Sequence, residues 1–347
     1  MKILIPATVA FALGIFITPL ATHYFYKYKM WKKRIRTETA SSSEFSKIHK
    51  AKEASEVSTP CVGGIIIWVS ILVTVLLFYL LPFLFPNSVF LTELNFFSRS
   101  QTLLPLGVLV LGALLGLFDD MLEIAGRSNI TRNSSWYTKL KLGIIIIMGA
   151  TAGWWFYTKL GMDSINIPGD GLLYMGVWFI PFVILVMLAT FSGGVIDGID
   201  GLSGGVLSSI FAAYSVIAYA SNQIDLAALS LVISGATLAF LWFNIPPARF
   251  YMGETGMMPL TIVLATFAFL TDTVLLLPII AFPLAATSFS SSAQLIAKRF
   301  GKKVFRVAPL HHHFEALGWP GYKVTMRYWV LSVVFAILGV ILAIMTK

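Results

Sequence analysis

Three consecutive histidines stand in the segment PLHHHFE and account for three of only five histidines in the chain: His311, His312 and His313. An imidazole can accept a proton or bind an anion near neutral pH, and it is costly to leave without a partner beside lipid. The structural alternative is a feature of the membrane interface. A run of three is uncommon enough to favour a functional site.

Carboxylates are concentrated in short polar segments between long apolar runs. They occur in GLFDD, VIDGIDGL, FYMGETG and HHHFE, as Asp119, Asp120, Asp197, Asp200, Glu254 and Glu315. Each has an ordinary explanation, because acids are common in loops, in turns and at helix starts. Their shared position at one membrane face instead predicts a site where carboxylates hold a hard cation such as Mg²⁺, which typically takes phosphate oxygens as further ligands.

The elements that must position these residues are membrane helices. The chain is 57% apolar and 12% charged, with a net charge of +9, and a membrane-spanning helix needs about 20 residues. Continuous apolar runs indicate helices and exclude the short alternating strands of a barrel. We therefore predict an all-α, polytopic integral membrane protein with about ten transmembrane helices, in which residues 1–347 form a single domain. The runs lie near residues 3–26, 65–85, 102–118, 142–158, 171–191, 205–220, 226–243, 257–270, 274–297 and 328–345.

The distribution of lysine and arginine predicts the orientation. With ten spans, 21 of the 25 basic residues fall on one face, and cytoplasmic loops are rich in such residues. Both termini are then expected on the outer face. The expected cytoplasmic loops are 27–64, 119–141, 191–204, 244–256 and 298–327, which also hold the histidines and the acids.

Several motifs together resemble one family of membrane enzymes. The strings PLHHHFEALGW, GLFDD, DGIDGL and FNIPPARFYMGETG are similar to those of the phospho-N-acetylmuramoyl-pentapeptide transferases, within the polyprenyl-phosphate N-acetylhexosamine-1-phosphate transferase superfamily. The resemblance begins at TPCVGG, with Thr59, and continues to the last helix. The triple histidine is its most specific element.

The resemblance implies a reaction. Phospho-MurNAc-pentapeptide would pass from UDP-MurNAc-pentapeptide to undecaprenyl phosphate, forming lipid I and UMP for peptidoglycan synthesis, with Mg²⁺ as cofactor. The enzyme would lie in the bacterial inner membrane with its active site on the cytoplasmic face. The bilayer and a possible homodimer are the other implied partners, and no nucleic acid is expected.

The resemblance also implies roles for individual residues. The catalytic residues would be an aspartate pair that activates the lipid phosphate and a histidine cluster near the diphosphate, namely Asp119, Asp120, His311, His312 and His313. The magnesium ligands would be Glu254 and Asp119. The residues that bind nucleotide or substrate would be Thr59, Lys139, Asp197, Asp200, Asn244 and Tyr251.

The chain departs from the family pattern at five positions, one of which is Tyr251 in place of a phenylalanine that would stack on uracil. The other four are as follows. Gly194 replaces an asparagine, Cys61 a threonine, Glu56 a lysine and Glu254 the aspartate of the metal site. Glutamate is one methylene longer, and Mg²⁺ demands near-ideal geometry. Lys50 or Lys52 is a possible substitute for the missing lysine. An inactive family member is therefore one alternative.

Three further alternatives remain open from the sequence. A related transferase could use another UDP-sugar, such as UDP-GlcNAc, with the same core. A secondary transporter would also have ten helices and glycine-interrupted segments, but its coupling sites usually lie near the midplane of the membrane. Within the transferase hypothesis, transfer could be direct or could pass through an aspartyl-phosphate.

Overall fold

The computed structural model describes residues 1–32, 58–127 and 135–346. The predictions that concern Lys50, Lys52 and Glu56 lie outside these ranges. Within them, thirteen α-helices and one short β-hairpin follow one another. The helices are α1 (Leu4–Lys27), α2 (Gly64–Leu84), α3 (Val89–Glu93), α4 (Leu103–Ile124), α5 (Ser135–Lys159), α6 (Phe179–Ser192), α7 (Leu202–Ala220), α8 (Ile224–Asn244), α9 (Gly253–Leu270), α10 (Leu277–Ile280), α11 (Phe282–Arg299), α12 (Leu310–Ala316) and α13 (Gly321–Met345).

The predicted membrane architecture is confirmed. In the described ranges nine helices are long and apolar enough to cross a bilayer, and a tenth span exists if one bent pair is counted. That pair corrects the prediction of a single run over 274–297. Residues Val274–Ile280 and Phe282–Arg299 are bent by 89°, and Pro278 and Pro283 explain the break because proline lacks the backbone N–H that continues a helix.

A β-hairpin is the one departure from an all-α chain in the described ranges. Strands β1 (Ser164–Ile167) and β2 (Gly171–Tyr174) pair antiparallel, with Ser164 opposite Tyr174. The apolar run predicted from residue 171 therefore starts too early. The following helix, α6, begins only at Phe179, after a 3-10 turn.

Several predicted loops are partly helical. Helix α4 continues to Ile124, so Asp119 and Asp120 lie within its last turns and do not end it. Helix α5 begins at Ser135 and α13 at Gly321, well before the predicted starts. The histidines lie on the short helix α12. A helix can continue through polar residues at the membrane edge. The apolar run ends at those residues, so it is shorter than the helix.

The core is built around three central helices. Most of α7 and α8 and nearly all of α9 are buried, whereas α1, α5, α6 and α13 expose much of their surface. Small residues permit a close crossing between α4 and α9. Gly112 and Gly116 of α4 lie against Pro259 and Glu254 of α9, and small residues four apart are typical of tightly packed membrane helices.

Candidate active site

Three acids and one lysine meet where α4, α5 and α9 approach one another. We call Asp119, Asp120, Lys141 and Glu254 the acid–lysine cluster. Lys141 Nζ donates to Asp119 Oδ2 at 2.8 Å and lies 3.4 Å from Glu254 Oε2. One ammonium group thus lies between two carboxylates that come from helices distant in sequence.

The approach of the α4 and α9 backbones brings these acids together. A Cβ on Gly116 would overlap the carbonyl oxygen of Glu254, so any larger residue would separate the helices. Asp119 and Asp120 follow within little more than one turn. The glycine therefore sets how closely the aspartate pair can approach Glu254.

Asp120 is engaged by the first turn of α9. Its carboxylate accepts hydrogen bonds from the backbone N–H groups of Glu254 at 3.2 Å and Thr255 at 2.9 Å. The amino end of a helix has unpaired N–H groups and a partial positive charge, and both favour a carboxylate there. Asp120 is 1% exposed. Its geometry is that of a residue that holds α9 in place beside Asp119.

Asp119 has one carboxylate oxygen for which the described residues supply no hydrogen-bond donor. Its Oδ2 accepts from Lys141, whereas its buried Oδ1 accepts no hydrogen bond from the described residues. The buried Tyr137 side chain lies within hydrogen-bonding reach of the same carboxylate. An unsatisfied buried oxygen is uncommon in native proteins and calls for an explanation such as a ligand, an ion or a catalytic role.

The donor set is compatible with Mg²⁺. Asp119 and Glu254 offer carboxylate oxygens, and Mg²⁺ is commonly held by one or two carboxylates together with substrate phosphates and water. No group of three or more His, Cys, Asp or Glu side chains suited to a metal occurs in the described part of the chain. The remaining ligands would therefore have to come from substrate and water.

The lysine of this cluster is not the predicted one. Lys139 is exposed, whereas Lys141 is the residue in contact with Asp119 and Glu254. Two residues along a helix correspond to a rotation of about 200°, so the two lysines point in nearly opposite directions. Tyr137 and Lys141 are four residues apart and share a helix face, but only the structure shows that Tyr137 is buried.

A second basic residue missed by the sequence reasoning is Lys32. Its Nζ lies 2.8 Å from Glu123 Oε2, one turn beyond the aspartate pair. The backbone N–H of Cys61 donates to the carbonyl of Met30, which places the end of the α1 segment against the start of α2. Burial, and after it the charge of Asp120, raise the pKa of the Cys61 thiol to about 12.

Two of the three histidines form a second group with Glu315 and Gly198. His311 and His312 are buried. His312 Nδ1 donates to Glu315 Oε2 at 2.7 Å, and their side chains are 4% and 7% exposed. A Cβ added to Gly198 would lie 2.6 Å from His311 Nε2 and 2.7 Å from His312 Nε2, so a glycine is needed for both imidazoles to approach this turn.

His313 lies elsewhere. Its Nδ1 accepts a hydrogen bond from the backbone N–H of Arg306, and its ring packs edge-on against Phe305. It is partly buried. The predicted cluster of three is therefore one buried pair and one residue that ties α12 to the preceding loop.

The predicted nucleotide-binding acids lie in the turn before α7. Asp197 accepts a hydrogen bond from Ser203 at 2.7 Å, and Asp200 accepts one from the backbone N–H of Ala248 at 3.2 Å. Asn244 Oδ1 accepts from the backbone N–H of Gly201, and its Nδ2 donates to the carbonyl of Phe250. These contacts join the 197–201 turn to the segment between α8 and α9.

Thr59 and Tyr251 lie on paired segments at the same face of the bundle. The backbone N–H of Tyr251 donates to the carbonyl of Pro60, and its carbonyl accepts from Gly63. Thr59 is buried and Tyr251 partly so. The backbone around both residues is thereby held next to the start of α9, which carries Glu254.

One segment connects the two groups of charged residues. The ammonium group of Lys141 lies 5.6 Å from the ring centroid of Phe191, near the end of α6. Seven residues later Gly198 lies against His311 and His312. The 191–198 segment thus has the acid–lysine cluster at one end and the histidine pair at the other.

This arrangement suits chemistry on phosphate esters. A carboxylate with an available oxygen can accept a proton, a lysine can neutralise phosphate charge, and buried imidazoles can donate to phosphate oxygens. All these groups lie at helix ends or in turns at one edge of the bundle. A water-soluble reactant and a lipid phosphate can meet at such an edge.

Comparisons with known proteins agree with these features. A family model described as glycosyl transferase family 4 matches residues 102–272. The phospho-N-acetylmuramoyl-pentapeptide-transferases of Anoxybacillus flavithermus and Bacillus subtilis are each 31% identical to this chain, with 97% of both sequences covered. The protein of the same name from Chloroflexus aurantiacus is 31% identical over 99% of this chain and 90% of its own length.

Proposed function

The chain belongs to the phospho-N-acetylmuramoyl-pentapeptide-transferase family, and on that premise we propose that it transfers phospho-MurNAc-pentapeptide from UDP-MurNAc-pentapeptide to undecaprenyl phosphate. The products are lipid I and UMP. The observation that carries the mechanism is the buried Asp119 carboxylate, with one oxygen on Lys141 and the other without a described hydrogen-bond donor. The names of the relatives favour neither another UDP-sugar nor transport.

The reaction needs one new bond and one broken bond. An oxygen of the lipid phosphate attacks the phosphorus of the β-phosphate, and the bond from that phosphorus to the bridging oxygen breaks, so that UMP departs. Asp119 Oδ1 accepts any proton left on the lipid phosphate. The second pKa of a phosphate monoester is near 6, so this proton transfer is a modest task at neutral pH.

The other residues position the reactants and neutralise charge. Lys141 balances the negative charge that accumulates between Asp119 and Glu254. His311 and His312 would donate to diphosphate oxygens, and Asp120 keeps the start of α9 against α4. Positioning and electrostatic stabilisation supply most of the acceleration in phosphoryl transfer.

Magnesium is part of the proposal. Asp119 and Glu254 would hold it, and when bound it would neutralise charge on the diphosphate. The proposed location is the bacterial inner membrane, with both groups of charged residues on the cytoplasmic face. A homodimer, which the family resemblance implies, is also proposed and is tested by the mass of the purified protein in detergent.

One assay tests the function. The purified protein is incubated with UDP-MurNAc-pentapeptide, undecaprenyl phosphate and Mg²⁺, and UMP and lipid-linked product are measured. We expect both products in equal amounts. UDP-GlcNAc in parallel tests the alternative sugar, and product from it alone would overturn the substrate assignment.

The aspartate pair gives the sharpest mechanistic test. Asp119→Asn removes the proton acceptor and should lower turnover by about 100-fold or more, the usual range for loss of a general base. Membrane insertion should be unchanged because it depends on the apolar spans. A phosphorylated enzyme trapped without lipid acceptor would instead indicate a two-step route through an aspartyl-phosphate.

A further inference from the structure

A second candidate site lies between the histidine helix and the last helix. A cleft of about 360 Å³ opens between the α12 region and the first turns of α13. Its walls include Phe314, Trp319, Arg327, Tyr328, Val330 and Leu331. This volume is within the range of small-molecule and cofactor sites in proteins.

The deep part of the cleft is apolar and faces lipid. Val330 and Leu331 are 62% and 41% exposed on a helix that is long and apolar enough to cross the bilayer. Water fills a cavity only where polar groups bind it. Hydrocarbon is therefore the expected content of this part of the cleft.

The mouth of the cleft is cationic. The Arg327 guanidinium lies 4.1 Å from the ring centroid of Trp319, and the Lys323 ammonium lies 5.4 Å from the same centroid. Trp319 itself stacks on Phe314, with centroids 4.8 Å apart. A guanidinium that stacks through its flat face keeps the N–H groups at its edge directed outward, where they can bind a phosphate.

Among the residues that the structure describes, these two cations have no acidic partner. Neither Lys323 nor Arg327 forms an ion pair with an acid in the described ranges. They are four residues apart on α13, and like charges at this spacing destabilise a helix. An anion bound between them would remove that cost.

Along the axis of α13, the two cations come before the apolar residues, in the same order as the phosphate and acyl chains of a phospholipid. At a rise of 1.5 Å per residue, Arg327 lies about 6 Å above Leu331 along the helix axis, with Lys323 a further turn above. We propose that the cleft binds an anionic phospholipid such as phosphatidylglycerol. Its phosphate contacts Arg327 and Lys323, and one acyl chain lies against Val330 and Leu331.

This site is separate from the proposed acceptor site. The acid–lysine cluster is built on α4, α5 and α9, whereas the cleft belongs to α12 and α13. Phe314, which supports Trp319, directly follows the three histidines on α12. A bound phospholipid would thus support the helix that carries His311 and His312, which makes the stability of that helix dependent on lipid.

Native mass spectrometry of the delipidated full-length protein tests the proposal. The protein is titrated with dioleoyl phosphatidylglycerol, dioleoyl phosphatidylcholine or undecaprenyl phosphate, without any UDP-sugar. We expect the first phosphatidylglycerol to bind more tightly than the first phosphatidylcholine. Arg327→Gln should weaken that first binding by about tenfold, whereas Arg299→Gln, at an exposed arginine on the same basic face, should leave it unchanged.

A second variant separates loss of the site from loss of the fold. Leu331→Trp fills the acyl part of the cleft from a lipid-facing position and should also weaken the first phosphatidylglycerol by about tenfold. Equal effects of Arg327→Gln and Arg299→Gln would show that the binding depends only on general surface charge, and would overturn the proposal. Displacement of the first phosphatidylglycerol by equimolar undecaprenyl phosphate would assign the cleft to the acceptor lipid instead. Because no UDP-sugar is present, these outcomes do not depend on the proposed transfer reaction.

Discussion

Lys141 and Lys139 offer a paired test at the scale of single residues. Lys141 lies between two carboxylates, and Lys139 is exposed on the same helix. Lys141→Ala leaves Asp119 and Glu254 without their shared cation and should lower turnover by about 100-fold. Lys139→Ala should retain activity within about twofold, as expected for a surface change. Equal losses in a UMP-release assay would contradict the assignment of Lys141.

Glu315 is the residue that orients His312. A hydrogen bond with a charged partner contributes about 1.5–3 kcal/mol, and the His312–Glu315 contact is both short and buried. Glu315→Gln should therefore lower kcat by about tenfold and leave the KM for the UDP-sugar nearly unchanged, and Glu315→Asp should restore part of the loss. Glu93→Gln, at an exposed acid on α3, serves as the control. A change in KM alone would indicate that Glu315 acts on substrate binding and not on the histidine.

At the scale of helices, Gly116 permits the close packing of α4 against α9. Any side chain here would overlap the Glu254 carbonyl, whereas a Cβ on Gly107 of the same helix would meet open space. Gly116→Ala should destabilise the protein by about 1–3 kcal/mol, the usual cost of overpacking, and should lower activity by displacing Asp119 from Glu254. Gly107→Ala should change neither. Thermal unfolding in detergent, followed by intrinsic fluorescence, checks both variants, and an unaltered melting temperature for Gly116→Ala would contradict the close crossing.

At the scale of the whole molecule, the open prediction is orientation. Cys61 is the only cysteine in the chain. Its side chain is 1% exposed, and burial raises the pKa of its thiol to about 12, so the thiol is shielded from reagents and little of it is present as the reactive thiolate. The native protein should therefore remain unlabelled by maleimide near pH 7 and become labelled once it is unfolded in denaturant. Labelling of the native protein near pH 7 would show that Cys61 is accessible and not held as described.

This unreactive background permits a direct topology measurement. Asp170→Cys places a thiol at the exposed tip of the β-hairpin, and Lys303→Cys places one in the basic segment after α11. A membrane-impermeant maleimide should label Asp170→Cys in intact cells and Lys303→Cys only after the membrane is opened. The reverse labelling pattern would show that the protein has the opposite orientation, with the candidate active site on the outer face.

The sequence by itself determined the class of protein, the approximate spans and the family. Long apolar runs permit only helices in a bilayer, and the strings around His311, Asp119 and Glu254 were specific enough for the resemblance that the relatives confirmed. Run length did not determine where helices end, because α4, α5 and α13 continue through polar residues at the membrane edge. It also did not reveal the 89° bend at Ala281.

Only the tertiary structure decided which polar residues act together. Lys141 is 22 residues after Asp119, and Glu254 is 113 residues after Lys141. Whether these side chains meet depends on how α4, α5 and α9 are rotated and how closely they cross. A sequence motif shows that an acid or a lysine is present but not the direction in which a helix presents it. For that reason the sequence did not show that Lys141 lies between the two carboxylates, that Asp120 is bound by the start of α9, or that His313 lies apart from the buried histidine pair.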